Sequence, residues 1–266
     1  METEITDKHT VIRFKYKIPA ILFLAFLIYY IVMMLLAPLI AHKTMNDKYG
    51  FRLDDINPSE QRIVRDSVYL KLLKEKAFLQ SKVEMAETDS IYLVVNLSDS
   101  IVNLGISGVT VYSSEIKRYN ISKLLKQGYP YVISSMLSSP LTIIKEFSSI
   151  QKEPLMIKMA PRDTSEYQPD IIPDTADYDL VNYIFEMDKG IIIYICQEEK
   201  LNPGNGMDHF GFDLRYRIRN AINSLKSVIR VRVPGYHPFI KLHLSRDDAK
   251  IIYRALPKQG QIAIYL

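Results

Sequence analysis

Apolar and polar positions divide the chain into an opening apolar run, a long amphipathic stretch and a series of short alternating segments. From Ile18 to Ala41 the sequence reads IPAILFLAFLIYYIVMMLLAPLIA, with no charged residue. A bilayer core about 30 Å thick needs roughly 20 apolar residues of helix at about 1.5 Å each, so this run predicts a transmembrane helix over 18–41. Lys15 and Lys17 close it on one side, His42 and Lys43 on the other. Pro19 and Pro38 fall near its ends, where a missing N–H costs least. A cleaved signal peptide would have a shorter apolar region ending in a small-x-small site. Leu39-Ile40-Ala41 does not fit such a site, so an uncleaved anchor is expected.

Residues 42–88 read as a juxtamembrane connector. A polar stretch rich in turn residues leads to Asn57, which can cap free N–H groups, and Pro58, which suits a first helical turn. No Gly or Pro follows until after Glu87, and Val64, Val68, Leu72, Leu79 and Val83 recur near helical spacing. That pattern predicts an amphipathic helix over 58–87, serving as a stalk, a pairing helix or a helix packed on its own domain.

At Ser90 the period changes. IYLVVNL, IVNLGIS and VTVYSSEIKRYNI are β-branched and partly alternating, and Ser98-Asp99-Ser100 and Ser107-Gly108 separate them, which predicts a β-meander. Residues 123–150 predict one or two short helices around a Gly-Tyr-Pro turn, and 160–179 a loop rich in prolines and acids. Leu180–Glu186 and Gly190–Gln197 read as a hairpin, with GIIIYIC as a central strand buried on both faces. Phe212–Lys226 predicts a helix, and Val228–Val233 a strand with Arg230 and Arg232 on one face. Ser245 should cap a short helix (DDAKIIYRAL) whose first turn holds acids, and QIAIYL closes the chain as a strand. The fold class expected is one N-terminal transmembrane helix, a connecting helix, and a mainly-β domain with a few helices over 89–266.

Charge refines the picture only slightly. Four cations precede the apolar run (Lys8, Arg13, Lys15, Lys17) and three follow it closely (Lys43, Lys48, Arg52). The bias expects 1–17 as a cytoplasmic tail and the rest as exported. A net charge of +4 lacks the clustered excess of a nucleic-acid-binding domain, so no nucleic-acid partner is expected. Cys196 is the one cysteine, which leaves no intrachain disulfide.

Candidate chemistry is sparse. Cys196 reads either as a nucleophile with His209 or His237 as base, or as a small buried residue in an apolar strand. The second is preferred because no His–Cys signature surrounds it. Asp208-His209 in a Gly-rich loop and the pair His237 and His243 match no usual zinc spacing, so neither metal nor cofactor is expected. Arg215, Arg217, Arg219, Arg230 and Arg232, with Lys226, form the densest basic region. They suit an anionic partner such as wall polymer, lipid phosphate or an acidic protein, or a solvated face paired with the acidic 163–179 loop.

Two stretches resemble a known family. IYLVVNLSDSIVNLGISGVTVYSSEI looks like the opening meander of the L,D-transpeptidase domain, and LSRDDAKIIYRALPKQGQIAIYL looks like its end. The resemblance implies a β-sandwich that crosslinks bacterial cell walls through a Ser-His-Gly-Cys-x-Arg motif just before that ending. In this chain the Ser, His, Gly, Cys and Arg places hold Pro238, Phe239, Ile240, Lys241 and His243. A further His-Gly pair of the family would fall near Tyr194-Ile195 and is also absent. Acyl transfer needs a nucleophile activated by an adjacent base, so the resemblance implies a transpeptidase-like domain with no catalytic residue and a vestigial slot at 238–243. The expected protein is a single-pass, non-enzymatic component of the bacterial inner membrane with a periplasmic domain. Its expected partners are other envelope proteins of a secretion or wall-remodelling assembly. Peptidoglycan held in the old groove, or an active wall enzyme using Cys196, are the alternatives.

Overall fold

A computed structural model describes residues 3–50, 66–152, 180–199 and 206–266. The chain forms two compact units, Met1–Lys48 with Leu214–His237, and Tyr49–Asp213 with Pro238–Leu266.

In the first unit, helix α1 runs Thr3–Tyr49, well past both ends of the apolar run. Residues 42–49 are therefore helix rather than the expected turn-rich connector. They contain no breaker before Gly50, and Thr44 Oγ1 donates to the Ile40 carbonyl at 2.9 Å, a bond that follows the helical turn. Pro19 and Pro38 sit inside the helix without ending it. The stretch Ile21–Tyr49 is long and apolar enough to cross a membrane, and only 6% of its most apolar window is buried in the protein. Phe23 at 68% and Leu35 at 66% exposure show the usual soluble pattern reversed: apolar side chains point outward on several sides.

The second unit begins, among the described residues, with α2 (Ser67–Ala86). Asp66 is extended and its carboxylate accepts the Val68 N–H at 2.9 Å, which caps this helix at its start. Asn57 and Pro58 lie outside the described residues. The packing face is not the expected stripe. Ala77, Ser81 and Met85 are buried, whereas Val68, Leu72, Leu79 and Val83 are exposed. Leu70, Leu73 and Phe78 are half-buried beside them, so the inner face combines small and large side chains.

Among the described residues nine strands join in one mixed sheet. They are β1 (Tyr92–Asn96), β2 (Ile101–Ile106), β3 (Val109–Glu115), β4 (Arg118–Ile121), β5 (Leu141–Ser148), β6 (Asn182–Met187), β7 (Ile192–Gln197), β8 (Phe239–Leu244) and β9 (Gln261–Tyr265), in the order β3-β2-β1-β9-β5-β6-β7-β8-β4. β1 pairs parallel with β9 and β7 parallel with β8; the remaining neighbours are antiparallel. The meander turns follow the expected residues. Ser107 and Gly108 both have positive φ, which gives the two-residue β2–β3 turn the twist that a hairpin needs.

Two departures from the sequence reading matter. VTVYSSEIKRYNI is two strands, β3 and β4, at opposite edges of the sheet, with only Ile116-Lys117 between them. Two extended residues reach only about 3.5 Å each, so the two edges must come together and the sheet must curl. The Ile116 N–H bonds the Ser100 carbonyl on one edge and the Lys117 N–H bonds the His243 carbonyl on the other. Second, residues 141–148 form a strand, β5, after the short helices α3 (Lys123–Gln127) and α4 (Pro130–Leu137). β5 pairs with β9 at Leu141–Thr142 and with β6 from Ile143 on, and a bulge at Ile144 bends it between the two.

Helices pack on both halves of the sheet. α2 packs on α4 and on β9, and Met85, Tyr92, Val94 and Ala263 cluster with Phe78. On the other half α6 (Arg246–Ala255), capped by Ser245 as expected, packs on β7. Its Tyr253 lies 4.9 Å from the ring of Tyr183, which lies 5.1 Å from Phe185. The expected loop over 160–179 lies outside the described residues.

Candidate functional site

Of the residues expected to form a vestigial slot, Phe239, Ile240, Lys241 and His243 lie on β8, which alternates strictly. Ile240, Leu242 and Leu244 are buried, while Phe239, Lys241 and His243 are half-buried on the opposite face. Phe239 therefore shares a pleat with Lys241 and His243 and stands edge-on to Tyr194, ring centroids 6.1 Å apart. Pro238 is buried just ahead of the strand, and its carbonyl accepts the Ile192 N–H.

The parallel register of β7 and β8 places Tyr194 beside Lys241 and Cys196 beside His243. Neighbouring strands lie about 4.8 Å apart and register partners share a face, so the one thiol and His243 are side by side. β4 adds Arg118 beside His243 and Asn120 beside Lys241. Glu198, just beyond β7, joins the group: His243 Nδ1 lies 3.3 Å from Glu198 Oε2. Arg118 holds the same carboxylate from two nitrogens, Nε at 2.9 Å and Nη2 at 2.8 Å. The His243–Glu198 approach is not an aligned hydrogen bond, since Nδ1 has no hydrogen-bond partner among the described residues, and it becomes an ion pair only when the ring is protonated.

Burial lowers the His243 pKa below the ordinary histidine value; Lys241 and Arg118 lower it further, and Glu198 opposes them. The ring is therefore neutral near pH 7 and able to accept a proton. The cluster Cys196, His243, Glu198 has the composition of a nucleophile, a base and an orienting carboxylate, with Lys241 and Arg118 as nearby cations. Sequence reading missed it because the base named for Cys196 was His209 or His237. Residues 243 and 196 are far apart in the chain, and only strand pairing joins them.

The other candidates disperse. His209 belongs to α5 (Gly206–Ile229), not to a Gly-rich loop, and His237 is exposed. Arg215, Arg217, Arg219 and Lys226 lie on α5. Arg230 and Arg232 follow its end and are not on a strand, which corrects the expectation for 228–233. The helix runs through Ile229, and Val231 at φ 56° turns the chain so that the Arg232 N–H bonds the Ser227 carbonyl. The acidic segment offered as their partner, 163–179, lies outside the described residues. Among the described residues no three His, Cys, Asp or Glu side chains gather into a site that could hold a metal ion.

No family model, curated protein or solved structure matches this chain.

Proposed function

We propose that the chain is a single-pass, non-catalytic protein of the bacterial inner membrane, with residues 1–17 in the cytoplasm and the β-domain in the periplasm. There it acts as a structural or interaction subunit of an envelope-spanning assembly of the secretion or wall-remodelling kind. The domain is a transpeptidase-like sandwich whose catalytic motif has been replaced. The observation that carries the reading is α1, whose apolar side chains stand exposed through Ile21–Ile40 as a bilayer requires. Support for the lost catalysis is Lys241 at the place of the family's nucleophile. The curled sheet, with its opening meander and closing helix and strand, supports the kinship. A reporter enzyme active only in the periplasm, fused after Leu266, tests the topology and should score positive. A signal from a cytoplasm-only reporter would overturn it. Co-purification in mild detergent should return envelope proteins in defined proportion.

A second reading is acyl-transfer chemistry at Cys196, favoured by one observation: the register that sets His243 beside it. The two readings separate on one experiment. Under the first, a thiol-directed wall-enzyme inhibitor leaves Cys196 unlabelled and Cys196→Ala keeps biological function. Labelling together with loss of function in that variant selects the second.

A further inference from the structure

α5 packs the wrong way round for a helix in water. Leu214, Ile218, Ile222, Leu225 and Ile229 recur at steps of four and three, and at about 100° per residue they form one stripe. All five are exposed, from 39% for Leu214 and Leu225 to 64% for Ile229. The side turned to the protein carries Tyr216 and Val228, both buried, with Asn220, Ser224 and Ser227 half-buried. Beside the outward stripe run Arg215, Arg219, Lys226 and Arg230, all exposed. No acid occurs from Leu214 to Arg232, so the exposed side is half apolar and half cationic.

We propose that α5 lies in the interface of the bilayer that α1 crosses, with its apolar stripe among the acyl chains and its cations on anionic lipid headgroups. This rests on the reading of α1 as a membrane anchor. An interfacial helix has this composition: a narrow apolar face, a basic polar face and low net hydrophobicity. A second copy of α5 is a poor occupant of the stripe. It would bring another row of cations against the first, and the helix's own carboxylates, Asp208 and Asp213, both lie before the stripe begins at Leu214. Anionic headgroups match the basic flank, and a chain already tethered to the membrane meets them at high effective concentration.

The test uses the full chain, with Cys196→Ser, reconstituted in vesicles of phosphatidylcholine and phosphatidylglycerol. Single cysteines carry a fluorophore at Ile222→Cys or Leu225→Cys on the stripe, Asn223→Cys on the polar side and Phe26→Cys in α1. Probes at 222 and 225 should be quenched by lipids brominated in the acyl chain and protected from iodide placed on both sides. The probe at 223 should show the reverse. Replacing Arg215, Arg219, Lys226 and Arg230 by Gln, or omitting phosphatidylglycerol, should reduce the lipid quenching at 222. Iodide quenching at 222 and 225 equal to that at 223 overturns the proposal, because the stripe is then in water. Protection from both quenchers overturns it in favour of a protein cover. The probe at 26 reports α1 separately: lipid contact there without contact at 222 ends this inference and spares the anchor, and iodide quenching at 26 ends the anchor reading.

Discussion

At the scale of single residues, two side chains expose the balance between burial and polarity. The Tyr183 hydroxyl is fully buried and has no hydrogen-bond partner among the described residues, and burial pushes its pKa well above the ordinary tyrosine value. An unpaired buried hydroxyl costs about 1–3 kcal/mol, while the ring itself packs on Phe185 and Tyr253. Tyr183→Phe should keep the packing and raise stability by about 1 kcal/mol or more, measured by urea unfolding; a loss would mean that the hydroxyl is satisfied in solution. His243 has a folded pKa below its unfolded value of about 6.5, so below that pH the unfolded chain binds the proton more readily. Its contribution to stability is therefore present at neutral pH and is lost as pH falls from about 6.5 towards the folded pKa. His243→Gln should flatten that part of the stability profile, and Lys241→Met should raise the imidazole pKa as followed by NMR. An unchanged His243 titration in the Lys241 variant would remove the lysine as a cause.

At the scale of elements, end-capping contacts decide where helices stop and what they attach to. Lys189, in the β6–β7 turn, donates to the Met136 and Ser139 carbonyls at 2.7 and 2.8 Å and to Ser139 Oγ at 2.6 Å. It thus closes the C-terminal end of α4, where a cation is favoured by the helix dipole. Lys189→Met should cost about 1.5–3 kcal/mol, with α4 amides exchanging faster than those of β7; uniform exchange would show that the contact is not local. The end of α5 is strained instead. Val231 holds φ at 56°, where a β-branched side chain meets its own backbone. Because Val231 is 74% exposed, Val231→Gly removes little packing and should stabilise the helix end by about 1 kcal/mol, read from thermal unfolding.

At the scale of the whole β-unit, the decisive feature is the two-residue link between the sheet's edges. Ile116 is buried and its N–H and that of Lys117 bond to opposite edges, so the link acts as a clasp on the curled sheet. Inserting Gly-Gly between Ile116 and Lys117 should leave each strand's own pairing possible while loosening the closure. Amides of β4 should then lose protection before those of β6 and β7. Equal protection in the extended chain would show that the curl is set by twist and core packing alone.

The sequence by itself determined the local elements whose signals are local: the apolar length of α1, the Ser107-Gly108 turn, the strand β7, and the Ser245 cap of α6. Of the two faces of β7 expected to be buried only one is fully closed, since Tyr194 and Cys196 are half-buried. Tertiary structure decided everything that depends on which segments meet. It chose Ala77, Ser81 and Met85, with Phe78, over Val68, Leu72, Leu79 and Val83 as the packing face of α2. It parted one β-branched run into the two edges of a sheet. It brought Cys196 to His243, and it turned the leucines and isoleucines of α5 outward. Periodicity reports that a helix has two faces, but which face is covered depends on what the rest of the chain places against it. A pairing register between distant strands likewise leaves no trace in the spacing of either one.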